Sequence, residues 1–284
     1  MPTSNAGVQT VSTELPAVPL TLEGLSVLHQ MFRFRWAEWR KLSSPRQQEI
    51  ASEAIAALAP GEAAGQSALY SMLGHKGDLM LVHFRQSFDE LNAAELQLNR
   101  TGLQEYLEPT HSYLSVIELG LYQSSIELYR RLSERGITPF SEEWNRAVQE
   151  TMERQQKAMH PRLYPKIPDS RYLCFYPMDR KRGDGKNWYT LPIEERQRQM
   201  EEHGMVGRRY AGNVQQIITG SIGFDDWEWG VDLFAGEPLV FKKLIYEMRF
   251  DQVSAEYAAF GQFFVGVRVP AAKLGEWLEG RLPR

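Results

Sequence analysis

Tyr172-Leu173-Cys174-Phe175-Tyr176-Pro177-Met178 is a short apolar run, and it reads as a β-strand whose ladder is broken at Pro177. Proline near its start and Gly204 beyond its end bound a helix over Pro192 to Glu202. Val214 to Thr219 and Trp227 to Phe234 read as strands of a hairpin turning at Gly220-Ser221-Ile222-Gly223. Pro238 to Tyr246 is a helix and Gly261 to Val269 a last strand. The first half follows the same order. Val27 to Trp39 is a strand in which Phe32, Phe34 and Trp36 alternate with Arg33 and Arg35, and Ser44-Pro45 opens a helix to about Leu58. Asp78 to Gln86 is a strand, Ser87 and Glu90 form the capping box of a long helix, and Tyr113 to Tyr122 alternates again. Strand, helix, strands, helix, strand thus occurs twice, without detectable identity between the copies. The pattern predicts an α+β fold of two ferredoxin-like halves with antiparallel sheets packed face to face. It divides the chain into a disordered lead-in (1–19), an N-terminal half (20–136) that ends in a helix at Ser124 to Arg135, a connecting segment with a helix at Ser141 to His160 (137–170), and a C-terminal half (171–284).

Composition narrows the function. The 284 residues carry a net charge of -4, which argues against general nucleic-acid binding. Cys174 is the single cysteine, so an internal disulfide is excluded and a reducing compartment is expected. No run of about 18 apolar residues is present to span a membrane. Met1 to Pro19 lacks the basic start and apolar core of a signal peptide, so the expected location is the cytoplasm.

The candidate chemistry lies between Arg162 and Ser254. His203, near the expected helix end, is either a histidine favoured by the helix dipole or an axial ligand to a haem iron. No spacing typical of a zinc site occurs among the six histidines and one cysteine. Tyr176 is either a core tyrosine or a phenol held beside an oxidising cofactor. In Val214-Gln215-Gln216-Ile217, one glutamine faces inward and needs a partner or ligand. Trp227 and Trp229 share a strand face, as core or as the wall for a flat macrocycle. Arg162, Arg180, Arg249 and Ser254 are surface or capping residues, or a set that holds carboxylates. No phosphate-binding loop, dinucleotide fingerprint or serine-hydrolase motif appears.

Taken together, Phe175-Tyr176-Pro177-Met178, Asn187-Trp188-Tyr189, His203-Gly204, Gly207-Arg208, Gln216-Ile217-Ile218-Thr219-Gly220-Ser221, Asp225-Asp226-Trp227-Glu228-Trp229-Gly230 and Tyr246-Glu247-Met248-Arg249-Phe250-Asp251 closely resemble the coproheme decarboxylases of the chlorite dismutase-like superfamily. The close match runs from about Arg162 to Val269, and the N-terminal half matches in layout. The resemblance implies two ferredoxin-like domains of the dimeric α+β barrel type, usually assembled as a homopentamer. It implies hydrogen peroxide-dependent conversion of the propionates at positions 2 and 4 of iron coproporphyrin III (coproheme) to vinyl groups, giving haem b. By position, His203 matches the proximal iron ligand, Tyr176 the catalytic tyrosine and Gln216 the distal residue. Arg162, Arg249 and Ser254 match the propionate-holding set, Trp227 and Met178 the pocket. Arg180 stands where the family often has lysine, keeping the charge but donating a proton less readily. Chlorite dismutases, which resemble the chain more distantly, have arginine at the distal position. A transient contact with coproporphyrin ferrochelatase, which would supply the substrate, is also implied. A haem carrier on the same fold is the non-catalytic alternative.

Overall fold

The computed structural model describes residues 16–283, so most of the expected lead-in lies outside the described residues. In chain order the elements are β1 (Thr21–Phe34), α1 (Trp36–Trp39), α2 (Ser44–Ala63), β2 (Ser67–Leu73), β3 (Leu79–Arg85), α3 (Phe88–Asn99), β4 (Leu107–Gly120), α4 (Tyr122–Glu134) and α5 (Glu142–Leu163). They continue as β5 (Tyr172–Arg180), α6 (Ile193–Arg208), β6 (Gln215–Gly220), β7 (Trp229–Ala235), α7 (Leu239–Met248), α8 (Gln252–Tyr257), β8 (Ala258–Phe260), β9 (Phe264–Val269) and α9 (Leu274–Leu278).

Each half is a four-stranded antiparallel sheet with the interleaved order of a ferredoxin-like unit, β4-β1-β3-β2 in the first and β6-β7-β5-β9 in the second. The halves meet edge to edge: β4 pairs β6 through Val116↔Gly220, and β2 pairs β9 through Leu69↔Val269 to Leu73↔Val265. Eight strands therefore close into a ring, and β8 extends the free part of β5 at Met178↔Phe260. This corrects the expectation of two separate sheets packed face to face. Edge pairing satisfies backbone groups that open sheets would leave exposed.

Closure explains why the strands read as apolar runs. In β3, β5 and β7 one face fills the ring and the other is covered by helices, so both are buried, whereas β4 and β6 keep exposed residues. Val27, Met31, Tyr70, Val82, Phe175 and Phe234 pack inside the ring. Cys174, Tyr176, Val231 and Leu233 face outward against Val206 of α6 and Phe241, Leu244 and Met248 of α7. Gly230 of β7 permits the tight interior: a Cβ there would lie 2.6 Å from Tyr113 Cε1 and 2.7 Å from Thr219 Oγ1.

Several boundaries differ from expectation. β1 ends at Phe34, and Trp36 turns into α1, where its ring lies 5.1 Å from Trp277 of α9. β2 was not anticipated from the sequence. The connecting segment is dominated by α5, a 22-residue helix whose Leu163 backbone closes on Gly24 of β1, a position with no room for a Cβ. α6 runs six residues past the expected stop at Glu202, with Gly204 inside it.

Inside the ring, His29 Nε2 lies 2.9 Å from Asp232 Oδ1, both side chains fully buried, and the His29 ring stacks on Phe175 at 3.9 Å. Removing one member of a buried hydrogen-bonded pair strands the other in a dry interior. His29→Leu is therefore expected to destabilise the fold by about 3–5 kcal/mol in urea unfolding, and His29→Leu/Asp232→Leu by clearly less. Equal losses in the single and double variants would refute the pairing as the source.

Candidate functional site

The site is assembled between the outer face of β5–β7–β6 and helix α6. Register fixes which side chains share that face. Tyr176 pairs Val231 and Cys174 pairs Leu233 on one edge, while Ile218 and Gln216 pair the same two β7 residues on the other. Gln216, Tyr176 and Met178 thus project to the helix-covered side, and Phe175 projects into the ring.

Tyr176 is 3% exposed. Its ring stacks on Phe263 at 4.5 Å and meets Phe260 at 5.7 Å. Burial pushes its phenol well above the ordinary value, with Cys174 adding to the rise, so it is a neutral hydrogen donor at all working pH values. Cys174, two residues back on the same face, is a buried free thiol pushed up by burial to about 12. It is a small apolar side chain here, not a nucleophile.

His203 lies inside α6, more than a turn before its end, and not in the last turn as the sequence suggested. Its Nδ1 lies 2.9 Å from Asp251 Oδ2, and the Ser254 hydroxyl is 3.4 Å from the same nitrogen. Asp251 caps α8 at the same time, accepting from Ser254 N at 2.8 Å through its other oxygen. Burial opposes ionisation of Asp251, but hydrogen bonds from His203 and Ser254 outweigh it and hold the carboxyl below its usual range. An anionic Asp251 fixes the proton on Nδ1. The lone pair of Nε2 is then left for an external electrophile, the arrangement in which histidine serves as a metal ligand. Asp251 had no assigned role in the sequence, where the capping alternative was given to Ser254; in the fold Asp251 is the cap and Ser254 donates to it.

The remaining candidates separate. Arg249 ends α7 with its guanidinium 3.9 Å from the Phe260 ring, the ring that touches Tyr176. Arg180 is 8% exposed, sits 5.1 Å over Trp188, and has Nη1 without a partner. Ser254 is buried beside His203 and takes part in bracing it. Gln216 is exposed, not enclosed as its sequence pattern suggested. Gly207 of α6 lies near it: a Cβ there would sit 3.9 Å from Gln216 Oε1. Trp227 precedes β7 and does not share a strand with Trp229. It packs by Gly261 and the interior cluster, away from the Tyr176 cluster. Arg162 is exposed at the end of α5 and makes no hydrogen bond or ion pair among the described residues.

Among the described residues no group of three or more His, Cys, Asp or Glu side chains is arranged to hold a metal ion by itself. His203, whose Nδ1 is held by Asp251, a wall of apolar side chains, the buried Arg180 and the exposed Arg249 instead suit an iron that arrives inside an organic ring. Among the described residues no helix is long and apolar enough to cross a membrane.

Comparison with known proteins agrees with this layout. Residues 47–269 match the chlorite dismutase family. A heme-binding protein from Thermus thermophilus is 37% identical and superposes with a TM-score of 0.78, over 94% of this chain and 99% of that one. The chlorite dismutase from Candidatus Nitrospira defluvii in complex with imidazole shares the fold at 16% identity, with a TM-score of 0.66 over 90% and 95% of the two chains. The chain, with its α+β barrel of two ferredoxin-like halves, belongs to the chlorite dismutase family.

Proposed function

We propose that the protein is a coproheme decarboxylase: it binds iron coproporphyrin III between β5–β7–β6 and α6 and converts two propionates to vinyl groups with hydrogen peroxide. The observation that carries this reading is the fully buried Tyr176 phenol on the face covered by the helix that bears His203. Haem carriage needs a ligand and a pocket, and has no use for a buried oxidisable phenol at that position. The similar Thermus protein binds heme, which supports a porphyrin ligand here.

When bound, the iron porphyrin supplies the oxidising equivalents that peroxide delivers. His203 would hold the iron through Nε2, and Asp251 would strengthen it by holding Nδ1–H. Tyr176 gives up its phenolic hydrogen atom and recovers one from the β-carbon of the propionate. The remaining electron leaves as the carboxylate departs as carbon dioxide, and the Cα–Cβ bond becomes the vinyl double bond. For each vinyl, one carboxylate, one peroxide and one proton yield carbon dioxide and two waters. The dry wall of Phe260 and Phe263 around Tyr176 keeps solvent from quenching an oxidised phenol. Arg249 and Arg180 are the cations that hold propionates. Gln216, neutral and open to the pocket mouth, offers no charge to chlorite, which separates this reading from chlorite dismutation. The reading carries with it a cytoplasmic homopentamer that receives its substrate from coproporphyrin ferrochelatase.

Mixing the protein with iron coproporphyrin III and titrating peroxide is expected to give two successive mass losses, ending at haem b. Binding without mass change would leave haem carriage, and oxygen release from chlorite would indicate chlorite dismutation. Tyr176→Phe should bind the porphyrin normally and form vinyl groups at least about a hundredfold more slowly, as read by mass spectrometry. Asp251→Asn keeps the cap of α8 but removes the charge behind His203. It should raise the midpoint potential of the bound iron while leaving thermal stability nearly unchanged; an unaltered potential would remove Asp251 from the ligand's control.

A further inference from the structure

Arg196 is 4% exposed, yet no carboxylate among the described residues pairs with it. Its hydrogen bond is to a neutral acceptor, the carbonyl of Ala17, and its buried Nε has no partner among the described residues. Arg180, 8% exposed, likewise bonds no acid of the described residues through its side chain. Its Nη2 reaches only Met200 Sδ at 3.4 Å, and Nη1 is unpartnered. The acids nearest Arg180 are engaged elsewhere. Glu228 takes the main-chain N–H of Arg180 at 2.9 Å and lies 3.5 Å from Arg182, while Asp251 is bound to His203 and Ser254.

The two guanidiniums belong to one place. Arg196 lies 5.9 Å from the Tyr122 ring, Arg180 lies 5.1 Å from the Trp188 ring, and Tyr122 and Met200 pack against the cluster that holds Trp188. Arg196, Met200 and His203 fall at i, i+4 and i+7 of α6, on one face. Met200 brings Arg180 onto that line from β5. Seven residues of helix separate Arg196 from His203 by about 10 Å along the axis. That is the scale of the reach from a porphyrin's central iron to the end of a propionate.

Two buried cations without a counter-ion are costly unless an anion completes them. We infer that Arg196 and Arg180 form a carboxylate slot, floored by Tyr122 and Trp188, that holds one propionate of the porphyrin whose iron His203 binds. This makes Arg196 a further substrate-binding residue and rests on the proposed porphyrin site. The slot recognises the carboxylate, which a planar guanidinium grips with two parallel hydrogen bonds. Its occupant replaces the anion that the described fold itself does not provide.

The test compares iron coproporphyrin III with its tetramethyl ester in the same detergent buffer, following binding to the full chain by absorbance. Arg196→Gln should weaken binding of the free acid about tenfold or more and leave the ester's affinity unchanged. Arg196→Lys should recover part of the loss, since it restores charge without the fork. Equal weakening of both ligands would assign Arg196 to holding the chain near Ala17 and overturn the slot, as would unchanged affinity for the free acid. Peroxide turnover is not part of the readout. A wild type that binds both ligands but forms no vinyl would sink the decarboxylase reading alone, and a wild type that binds neither would sink both.

Discussion

Strand β5 is hydrogen-bonded along both edges, to β7 on one side and to β9 and then β8 on the other. Much else follows from this double pairing. It closes the ring, and it splits consecutive residues between two dry compartments. Phe175 packs in the interior against His29, while Tyr176 lies under the helices among Phe260 and Phe263. The strand changes neighbours close to Pro177, which has no N–H to donate and whose carbonyl instead accepts from Gly261 N at 2.8 Å. A residue type that would weaken a central ladder falls where the ladder is already being handed from one strand to another.

Charge is distributed with the same economy. In the interior, His29 and Asp232 share one hydrogen bond, while His29 Nδ1 and Asp232 Oδ2 have no partner among the described residues. Under α6 the balance is different: Asp251 is committed to a histidine and Glu228 to the chain near Arg180, so the arginines stay unneutralised. On the proposed reading, buried positive charge among apolar side chains would suit a flat, hydrophobic ligand with carboxylates at its rim far better than a small neutral metabolite.

The repeat of strand, helix, strands, helix, strand was readable because burial on both faces writes long apolar runs punctuated by turns. Edge-to-edge closure was not readable, since it depends on pairings such as Leu69↔Val269 between residues 200 positions apart. β2 escaped notice because Ala68, Tyr70 and Met72 line the interior while Leu69 packs under α2, leaving no alternation to see. Aromatic alternation carried β1 too far, to Trp39, since Trp36 is apolar for a different reason, its contact with Trp277. Periodicity said that one of Gln215 and Gln216 faces inward, yet both are exposed; α6, which outran its apparent stop at Gly204, passes Gln216 at Gly207. His203 stood out as a lone histidine near a conspicuous glycine. Its partner Asp251, 48 residues on, was visible only in space.

A closed ring of strands also decides which part of the molecule can yield. Sliding any strand by one residue would have to be matched by its neighbours all the way round, so the sheet is an anvil and not a hinge. Compliance is left to the layer above it. α6 is joined to β5 through a segment containing Gly183 and Gly185, both in open space, and α7 follows β7 by way of the equally unencumbered Gly236. On the proposed reading, a rigid disc as wide as a porphyrin would be admitted by the helical layer and not by the floor. Tyr176, which belongs to the floor, meets every guest in the same orientation.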